Sequence, residues 1–288
     1  MDRRHCLKVL GGAGLASLVG TRCAEASATG PTEDTVGVLV DLARCKGCRR
    51  CEQVCAHVNG LPMPELTSDE DQATKKTTSD KQLTVVNTYQ TEKGPVHVKR
   101  QCLHCQTPAC TAACLTQAML KTKEGPVVWR ANKCMGCRYC MLSCPFDMPK
   151  FEYESPTPRI MKCRMCWERA SENRPPACVE FCPNEALTFG TRESLLETAR
   201  QRIYGAPGKY VTHIFGEREA GGTGFLYVSP VPFEQLGFPT RVGEESVPGH
   251  TFGFLCSVPV VDTLWPAFLL GLYFATKPSK NKPSTAGH

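Results

Sequence analysis

Short runs of apolar or alternating residues, separated by polar loops, occupy the middle of the 288-residue chain. Three of them are rich in β-branched residues and predict β-strands: LTVVNTYQ at 83–90, VHVKRQ at 96–101 and GPVVWRAN at 125–132. The run RESLLETARQRI at 192–203 spaces its apolar residues three and four positions apart, which predicts a helix with one packed face. This mixture of strands and helices predicts the α+β class.

The longest apolar run, FGFLCSVPVVDTLWPAFLLGLYFA, lies near the C-terminus at 252–275. As a helix it would rise about 36 Å, enough to cross a bilayer. Pro259, Pro266 and the charged Asp262 weigh against a membrane span, and a buried core hairpin is the alternative. The run predicts a transmembrane helix at 251–276.

Lysines follow this run without a neighbouring acid: Lys277, Lys280 and Lys282. Positive residues beside a span favour the cytoplasmic side of a membrane. The segment 277–288 is therefore predicted to be a cytoplasmic tail, with the rest of the chain on the other side.

The N-terminus carries an arginine pair, Arg3 and Arg4, followed by a Gly-rich apolar segment and small residues. This order is typical of a twin-arginine export signal, which we predict over 1–28. The alternative is a chance arginine pair on a short buried helix. Between the two ends we predict a cysteine-rich domain at 29–200, with a polar loop at 65–81, and a Gly/Pro-rich extension at 201–250.

Cysteine is the exceptional component, with 19 residues in the chain. Cys6 and Cys23 lie in the predicted signal and Cys256 in the C-terminal run, which leaves sixteen cysteines in four quartets. The quartets are Cys45, Cys48, Cys51 and Cys55; Cys102, Cys105, Cys110 and Cys114; Cys134, Cys137, Cys140 and Cys144; and Cys163, Cys166, Cys178 and Cys182.

Three chemistries compete for these quartets. Disulfides are common in exported proteins, but that framework belongs to small loop-rich chains. Structural zinc needs paired C-x-x-C elements and has no use for a third close cysteine. A cubane [4Fe–4S] cluster uses three thiolates on a tight loop and a fourth from elsewhere, so the quartets favour iron-sulfur clusters.

The run C-x-x-C-x-x-C-x-x-x-C occurs unmodified in the first and third quartets, and the other two only widen its middle gap. In two-cluster ferredoxins the fourth cysteine of such a run binds the neighbouring cluster. Four related quartets predict duplicated bacterial-type 2×[4Fe–4S] ferredoxin modules, with loop-rich extensions and one C-terminal transmembrane helix.

Charge and motifs exclude several other functions. The formal charge of +6 counts every cysteine as neutral, and four thiolate-bound cubanes would make the balance negative. No basic stripe with interleaved aromatics indicates nucleic acid binding. No nucleophile with its base, phosphate loop or dinucleotide fingerprint indicates a catalytic centre. His57, His97 and His104 lie near cysteine loops, and we predict structural or solvent-facing roles for them; the alternative is a hydrogen bond to a cluster sulfur that tunes the cluster potential.

The four quartets resemble the four-cluster ferredoxin subunits of the dimethyl-sulfoxide-reductase and formate-dehydrogenase type. The resemblance implies electron transfer and a pairing of the first quartet with the fourth and of the second with the third, which spacing alone does not choose. The implied ligand sets are Cys45, Cys48, Cys51 and Cys182; Cys55, Cys163, Cys166 and Cys178; Cys102, Cys105, Cys110 and Cys144; and Cys114, Cys134, Cys137 and Cys140.

Further segments resemble the membrane-tethered ferredoxin subunit of hydrogenase-2-type [NiFe] hydrogenases: 137–153, 189–202, 215–239 and the apolar C-terminus. This resemblance implies a place on the periplasmic face of the inner membrane, between a [NiFe] hydrogenase and an integral membrane quinone-reactive subunit. The extension at 201–250 would then lie on a partner, with a flexible surface linker as the alternative. In another alternative, the chain transfers electrons through the same clusters, but its partner is a molybdenum or sulfur-compound oxidoreductase. A non-redox protein held by disulfides or zinc is a third.

Overall fold

A computed structural model describes residues 35–65, 75–170, 172, 174–239 and 241–277. The predicted export signal, most of the predicted tail and residues 66–74 of the predicted polar loop lie outside the described residues. The chain divides into two compact units, one of which is Gly30–Pro248, while the other includes the described residues from Gly249 onward.

The described residues of the unit Gly30–Pro248 form nine strands, which we number in chain order. They are β1 (Val36–Asp41), β2 (Val85–Thr91), β3 (Gly94–Arg100), β4 (Met119–Lys121), β5 (Val127–Trp129), β6 (Lys150–Phe151), β7 (Ile160–Met161), β8 (Leu187–Thr191) and β9 (Phe225–Val228). The α-helices of the described residues are α1 (Arg50–Asn59), α2 (Ala109–Ala112), α3 (Tyr139–Leu142), α4 (Trp167–Ala170), α5 (Ala177–Glu180), α6 (Arg192–Gly205) and α7 (Gly249–Thr276). The 3₁₀ helices are Ala131–Lys133, Glu219–Gly221 and Phe233–Leu236.

The largest sheet has the strand order β8-β1-β9, with β1 antiparallel to β8 and parallel to β9. Strand β1 is apolar on both faces because it lies between two layers of the core. Val38 and Val40 pack in one hydrophobic cluster, and Leu39, which points the opposite way, packs in a second cluster against α6. The remaining sheets are three two-stranded antiparallel ribbons, β2-β3, β4-β5 and β6-β7.

The elements predicted from hydrophobic patterning are confirmed. Strands β2, β3 and β5 each overlap one of the three predicted runs, and α6 includes the whole predicted helix 192–203. Leu195, Ala199 and Ile203 are its buried residues, and the Thr191 side chain caps its first turn by accepting a hydrogen bond from the Ser194 N–H at 3.4 Å. The face of this helix is therefore used for packing.

Residues 201–248 are folded into the same unit as the cysteine-rich region. Strand β9 supplies the parallel neighbour of β1, and its Phe225 and Tyr227 are at most 1% exposed. The aromatic residues Phe215, Phe233 and Phe238 pack around Tyr227, with ring centroids of Phe215 and Phe238 4.6 Å apart. The Gly/Pro-rich composition of this segment did not indicate that it contributes large side chains to the core. Contact of this segment with a partner stays a prediction.

The second unit contains α7, one continuous helix of 28 residues that includes Pro259 and Pro266. Its length, about 42 Å at 1.5 Å per residue, and its mean hydropathy of 1.6 over the most apolar window suffice to cross a membrane. The predicted apolar helix at 251–276 is thus present as one helix rather than a hairpin.

Candidate metal centres

The sixteen quartet cysteines lie on loops and on the short helices that follow them, and all are free of disulfide bonds. In each quartet the third cysteine lies in a helix: Cys51 in α1, Cys110 in α2, Cys140 in α3 and Cys178 in α5. The first two cysteines of each quartet therefore come from the preceding loop, and the helix places the third against them.

The structure gathers cysteines from different quartets into four groups, which we call sites 1 to 4. Site 1 is a recess of ≈ 420 Å³, open solvent included, whose lining contains Cys45, Cys48, Cys51 and Cys182. Site 2 is a recess of ≈ 410 Å³ measured in the same way, whose lining contains Cys55, Cys163, Cys166 and Cys178. The first and fourth quartets thus each contribute three cysteines to one site and one to the other.

The second and third quartets are interlocked in the same manner. Site 3 is a recess of ≈ 340 Å³ whose lining contains Cys102, Cys105, Cys110 and Cys144. Site 4 is the group around Cys140, whose thiol interacts electrostatically with those of Cys114, Cys134 and Cys137. The structure therefore brings together the four sets of cysteines that the resemblance implies, while their role as iron ligands stays a prediction.

Backbone conformation repeats from loop to loop. The second residue after the first cysteine has a positive φ in every quartet: Gly47 (67°), His104 (52°), Gly136 (74°) and Met165 (55°). Left-handed residues turn successive N–H groups inward and form concavities that bind anions, including iron-sulfur clusters. Glycine has no Cβ and adopts this conformation readily, whereas His104 and Met165 adopt it at a cost that a functional loop tolerates.

Backbone N–H groups also point at individual sulfurs. The Met165 N–H donates to Cys163 Sγ at 3.3 Å, and the Ala118 N–H donates to Cys114 Sγ at 3.1 Å. Hydrogen bonds to a charged thiolate favour that charged form. The loops thus supply donors for the negative charge that a metal-bound thiolate carries.

Burial sets the protonation of the thiols when nothing is bound to them. Desolvation raises the pKa of Cys51, Cys110 and Cys163 to about 12 and that of Cys140 to about 11. At Cys114 burial also raises the pKa, but hydrogen bonds from Met119 and Thr116 outweigh it, so its pKa is lowered. Metal ligation requires thiolates, and therefore loading of these sites releases protons.

The shape of the sites suits a group larger than one ion. Among the described residues no three His, Cys, Asp or Glu side chains converge closely enough to hold a single metal ion. Sites 1 to 3 instead each have four thiols in the lining of one recess. A cubane held by four thiolates fits this donor set and the inward N–H groups around it.

The first cysteine loop is held by a buried carboxylate at the end of β1. Asp41 is fully buried, and its Oδ2 accepts hydrogen bonds from Tyr210 at 2.9 Å and from Arg202 at 3.2 Å. Its backbone oxygen accepts from the N–H of Cys45 at 3.2 Å. Helix α6 therefore positions the loop of site 1 through Asp41.

The three histidines near the loops occupy different environments. His57 is exposed on α1, and Nδ1 of His97 lies 2.9 Å from Thr88 Oγ1. His104 is fully buried, and burial together with the nearby Lys162 lowers its pKa well below the ordinary value. His57 is thus solvent-facing, as predicted, while the roles of His97 and His104 stay predictions.

Buried lysines are the feature that the sequence did not reveal. Lys99 in β3 is 3% exposed and Lys162, next to Cys163, is 4% exposed. Lys99 lies in the lining of both site 1 and site 2. In the run VHVKRQ it looks like an ordinary polar residue at the end of a strand, and no periodicity marks it as buried.

Comparison with known proteins places these sites in a family. Residues 96–192 match the model of the 4Fe-4S dicluster domain. A protein of Nitratidesulfovibrio vulgaris strain Hildenborough is 46% identical over 286 residues, covering 96% of this chain and 77% of that protein. The hydrogenase-2 operon protein HybA of Escherichia coli O157:H7 is 34% identical over 275 residues, covering 83% of this chain and 84% of HybA. The iron-sulfur subunit of the nitrate-inducible formate dehydrogenase of Escherichia coli K12 is 32% identical over 202 residues, 67% of each chain.

The chain belongs to the family of 4Fe-4S iron-sulfur subunits that includes HybA and the formate dehydrogenase iron-sulfur subunits. Its cofactors are four [4Fe–4S] clusters, and its function is electron transfer within an oxidoreductase complex. Both predictions made from the quartets are confirmed. As a member of this family it has a ferredoxin-type domain of mixed helix and strand content, with one apolar C-terminal helix.

Proposed function

We propose that the chain passes electrons one at a time between a periplasmic [NiFe] hydrogenase and a quinone-reactive subunit in the membrane. The observation that carries this proposal is the interlocked arrangement of the four sites. Each site takes three cysteines from one quartet and the fourth from its partner quartet. Shared loops hold the two members of a pair close together, as stepwise electron transfer requires.

The sixteen cysteines of sites 1 to 4 are the proposed iron ligands. Each bound cluster supplies one-electron redox chemistry, at a potential that hydrogen bonds, charge and burial set within roughly −700 to +450 mV. The chain's own contribution is to fix the thiols, to direct N–H groups at sulfur and to exclude water. Burial of Cys102 and Cys110 to 9% exposure or less supports this exclusion at site 3, whereas Cys137 of site 4 is exposed.

Repetition of the loop geometry supports a duplicated origin of the two pairs. A residue of positive φ follows the fourth cysteine by three positions in three quartets: Gln117, Asp147 and Glu185. Together with the four left-handed residues after the first cysteines, this supports the proposal of one module used twice. We infer that sites 1 and 2 form one ferredoxin module and sites 3 and 4 the other.

The hydrogenase partner is favoured by how far one similarity extends. The alignment with HybA covers 83% of this chain, whereas that with the formate dehydrogenase subunit covers 67%. The formate dehydrogenase similarity supports the second candidate, the same electron path in a molybdenum oxidoreductase.

Export and anchoring complete the proposal. The twin-arginine signal over 1–28 would deliver a folded, cluster-loaded domain to the periplasmic side, because clusters are assembled in the reducing cytoplasm. Helix α7 would anchor that domain, leaving 277–288 in the cytoplasm. The proposed segments between them are the cluster domain at 29–200 and the partner-docking extension at 201–250.

Anaerobic purification of the intact membrane complex tests the proposal. We expect about sixteen iron atoms and sixteen sulfides bound to this chain, since each cubane contains four of each. A copurifying [NiFe] large subunit and hydrogen-dependent quinone reduction are the expected partner and activity. A molybdenum-containing subunit in its place would favour the second candidate, and zinc or disulfides without iron would overturn both.

A further inference from the structure

Lys99 is a buried cation between two of the proposed cluster sites. Its residue is 3% exposed, and it lies in the lining of site 1 together with Cys45 and in that of site 2 together with Cys163. Among the described residues no carboxylate lies within ion-pair distance of its Nζ. A lysine is almost never this buried unless a negative charge compensates it.

Two neutral oxygen atoms fix the ammonium group. The Nζ of Lys99 donates to Thr84 Oγ1 at 2.9 Å and to Gln101 Oε1 at 2.8 Å. Gln101 is in turn held by the hydroxyl of Tyr227, which accepts from its Nε2 at 2.7 Å and donates to the Lys99 carbonyl oxygen at 3.1 Å. All three neighbours are at most 2% exposed, so this small network keeps the charge in one place.

The cysteines of both sites, which are thiolates once a cluster is bound, supply the largest negative charges around Lys99, and the buried carboxylate of Glu52 also interacts with it. Burial alone would lower its pKa, but Cys178, Cys51 and Cys163 raise it above the ordinary value. Conversely, Lys99 lowers the pKa of Cys51 in site 1 and of Cys55 in site 2, although burial dominates at both thiols. The lysine therefore interacts with sulfurs of each site.

We propose that the ammonium of Lys99 is a shared positive charge for sites 1 and 2, and that it holds the reduction potentials of both clusters above those set by their burial alone. This inference rests on the cluster assignment proposed above. Each one-electron reduction adds a negative charge to a buried site, and a cation nearby stabilises the reduced form. Because the charge is shared, it also weakens the repulsion between two reduced neighbours.

Sites 3 and 4 provide an internal reference. The cations that interact with site 3 are Lys162 and Lys121, the latter donating to the Cys105 carbonyl oxygen at 2.9 Å. Around Cys140 of site 4 the largest interactions come from other thiols. Loss of Lys99 should therefore change two clusters of the four.

The test is a redox titration of the anaerobically purified full-length chain, followed by electron paramagnetic resonance. In Lys99→Met we expect two clusters to become at least tenfold less reduced at a fixed potential, equivalent to a shift of 59 mV for a one-electron couple. The other two clusters should keep their wild-type potentials. Lys99→Arg, which retains the charge, and Lys123→Met, which removes an exposed one, should leave all four unchanged.

Failure of this inference is distinguishable from failure of the cluster assignment. Sixteen iron atoms with four unaltered potentials in Lys99→Met would overturn the role of Lys99 alone, as would an equal shift of all four clusters. Absence of four cubane signals in the wild type would overturn the assignment. If Lys99→Met does not assemble, Thr84→Asp places a carboxylate on the ammonium, and the same two clusters should then move to lower potential.

Discussion

The backbone N–H of Val127 donates a hydrogen bond to Nδ1 of His104 at 2.8 Å. An acceptor at Nδ1 leaves the ring proton of the neutral imidazole on Nε2. This bond joins the loop of the second quartet to β5, and both residues are at most 1% exposed. His104 thus supports the left-handed turn between Cys102 and Cys105.

His104→Leu removes the acceptor of the Val127 N–H. An unsatisfied buried donor costs about 1–3 kcal/mol, so we expect the amide of Val127 to open more often. Hydrogen exchange measured by mass spectrometry should show faster exchange in 125–129. His57→Leu, on an exposed position, should leave that exchange unchanged, and equal protection in the His104 variant would contradict the proposed support.

Two paired glycines of the largest sheet should respond differently to a methyl group. Gly37 of β1 lies opposite Gly190 of β8, but a Cβ on Gly37 would meet the Gly224 carbonyl oxygen at 2.4 Å. On Gly190 the nearest atom is Ser194 Oγ at 3.1 Å, the end of a side chain that can move. Overpacking of a core costs about 1–3 kcal/mol, so Gly37→Ala should lower the melting temperature of the loaded protein clearly more than Gly190→Ala. Equal melting temperatures would show that β9 can move away from β1.

Much of this architecture follows from local pattern, and the remainder depends on distant contacts. The helix 192–203 and the strands β2, β3 and β5 were predictable because apolar spacing reports which face is buried. The parallel pairing of Val38 with Phe225 was not, since it joins residues far apart in sequence. Lys99 was missed for the same reason, because its burial depends on cysteines from other loops.

The grouping of the cysteines was likewise predictable only in part from the sequence. Their identity as four quartets and the cubane chemistry followed from spacing along the chain. The exchange of the fourth cysteine between particular quartets did not, and only resemblance to a family implied it. The structure places Cys182 beside Cys45 and Cys144 beside Cys102 because the sheet and the ribbons bring the loops together.

Pairs of cysteine substitutions test which thiols share a cluster. Cys144→Ser alone should remove one of the four cubanes, because only three thiolates would remain at site 3 and a cubane needs four. Adding Cys102→Ser should remove no further cluster, whereas adding Cys134→Ser should remove a second one, since that residue belongs to site 4. Spin quantification of the fully reduced, full-length protein counts the intact clusters.

A matched cysteine outside the sites is available as the control. Cys256 lies in α7, and Cys256→Ser should retain all four clusters. If the combination with Cys102→Ser removed two clusters and that with Cys134→Ser only one, Cys144 would belong with its own quartet. The proposed exchange of terminal cysteines would then be wrong.

Charge in the middle of α7 tests its proposed membrane role. Leu269 and Leu270 lie in the apolar half of the helix, and arginine costs about 2.5–3.5 kcal/mol at the centre of a transmembrane helix. The double variant Leu269→Arg with Leu270→Arg should therefore release the chain from membranes washed with alkaline carbonate, a treatment that the unaltered chain should resist. Tyr204→Arg, which adds a positive charge at a 76% exposed position of α6, should have no effect on retention. If the double variant stayed in the membrane fraction, partner subunits rather than α7 would hold the chain at the membrane. Two arginines at the centre of the bilayer should prevent α7 from inserting.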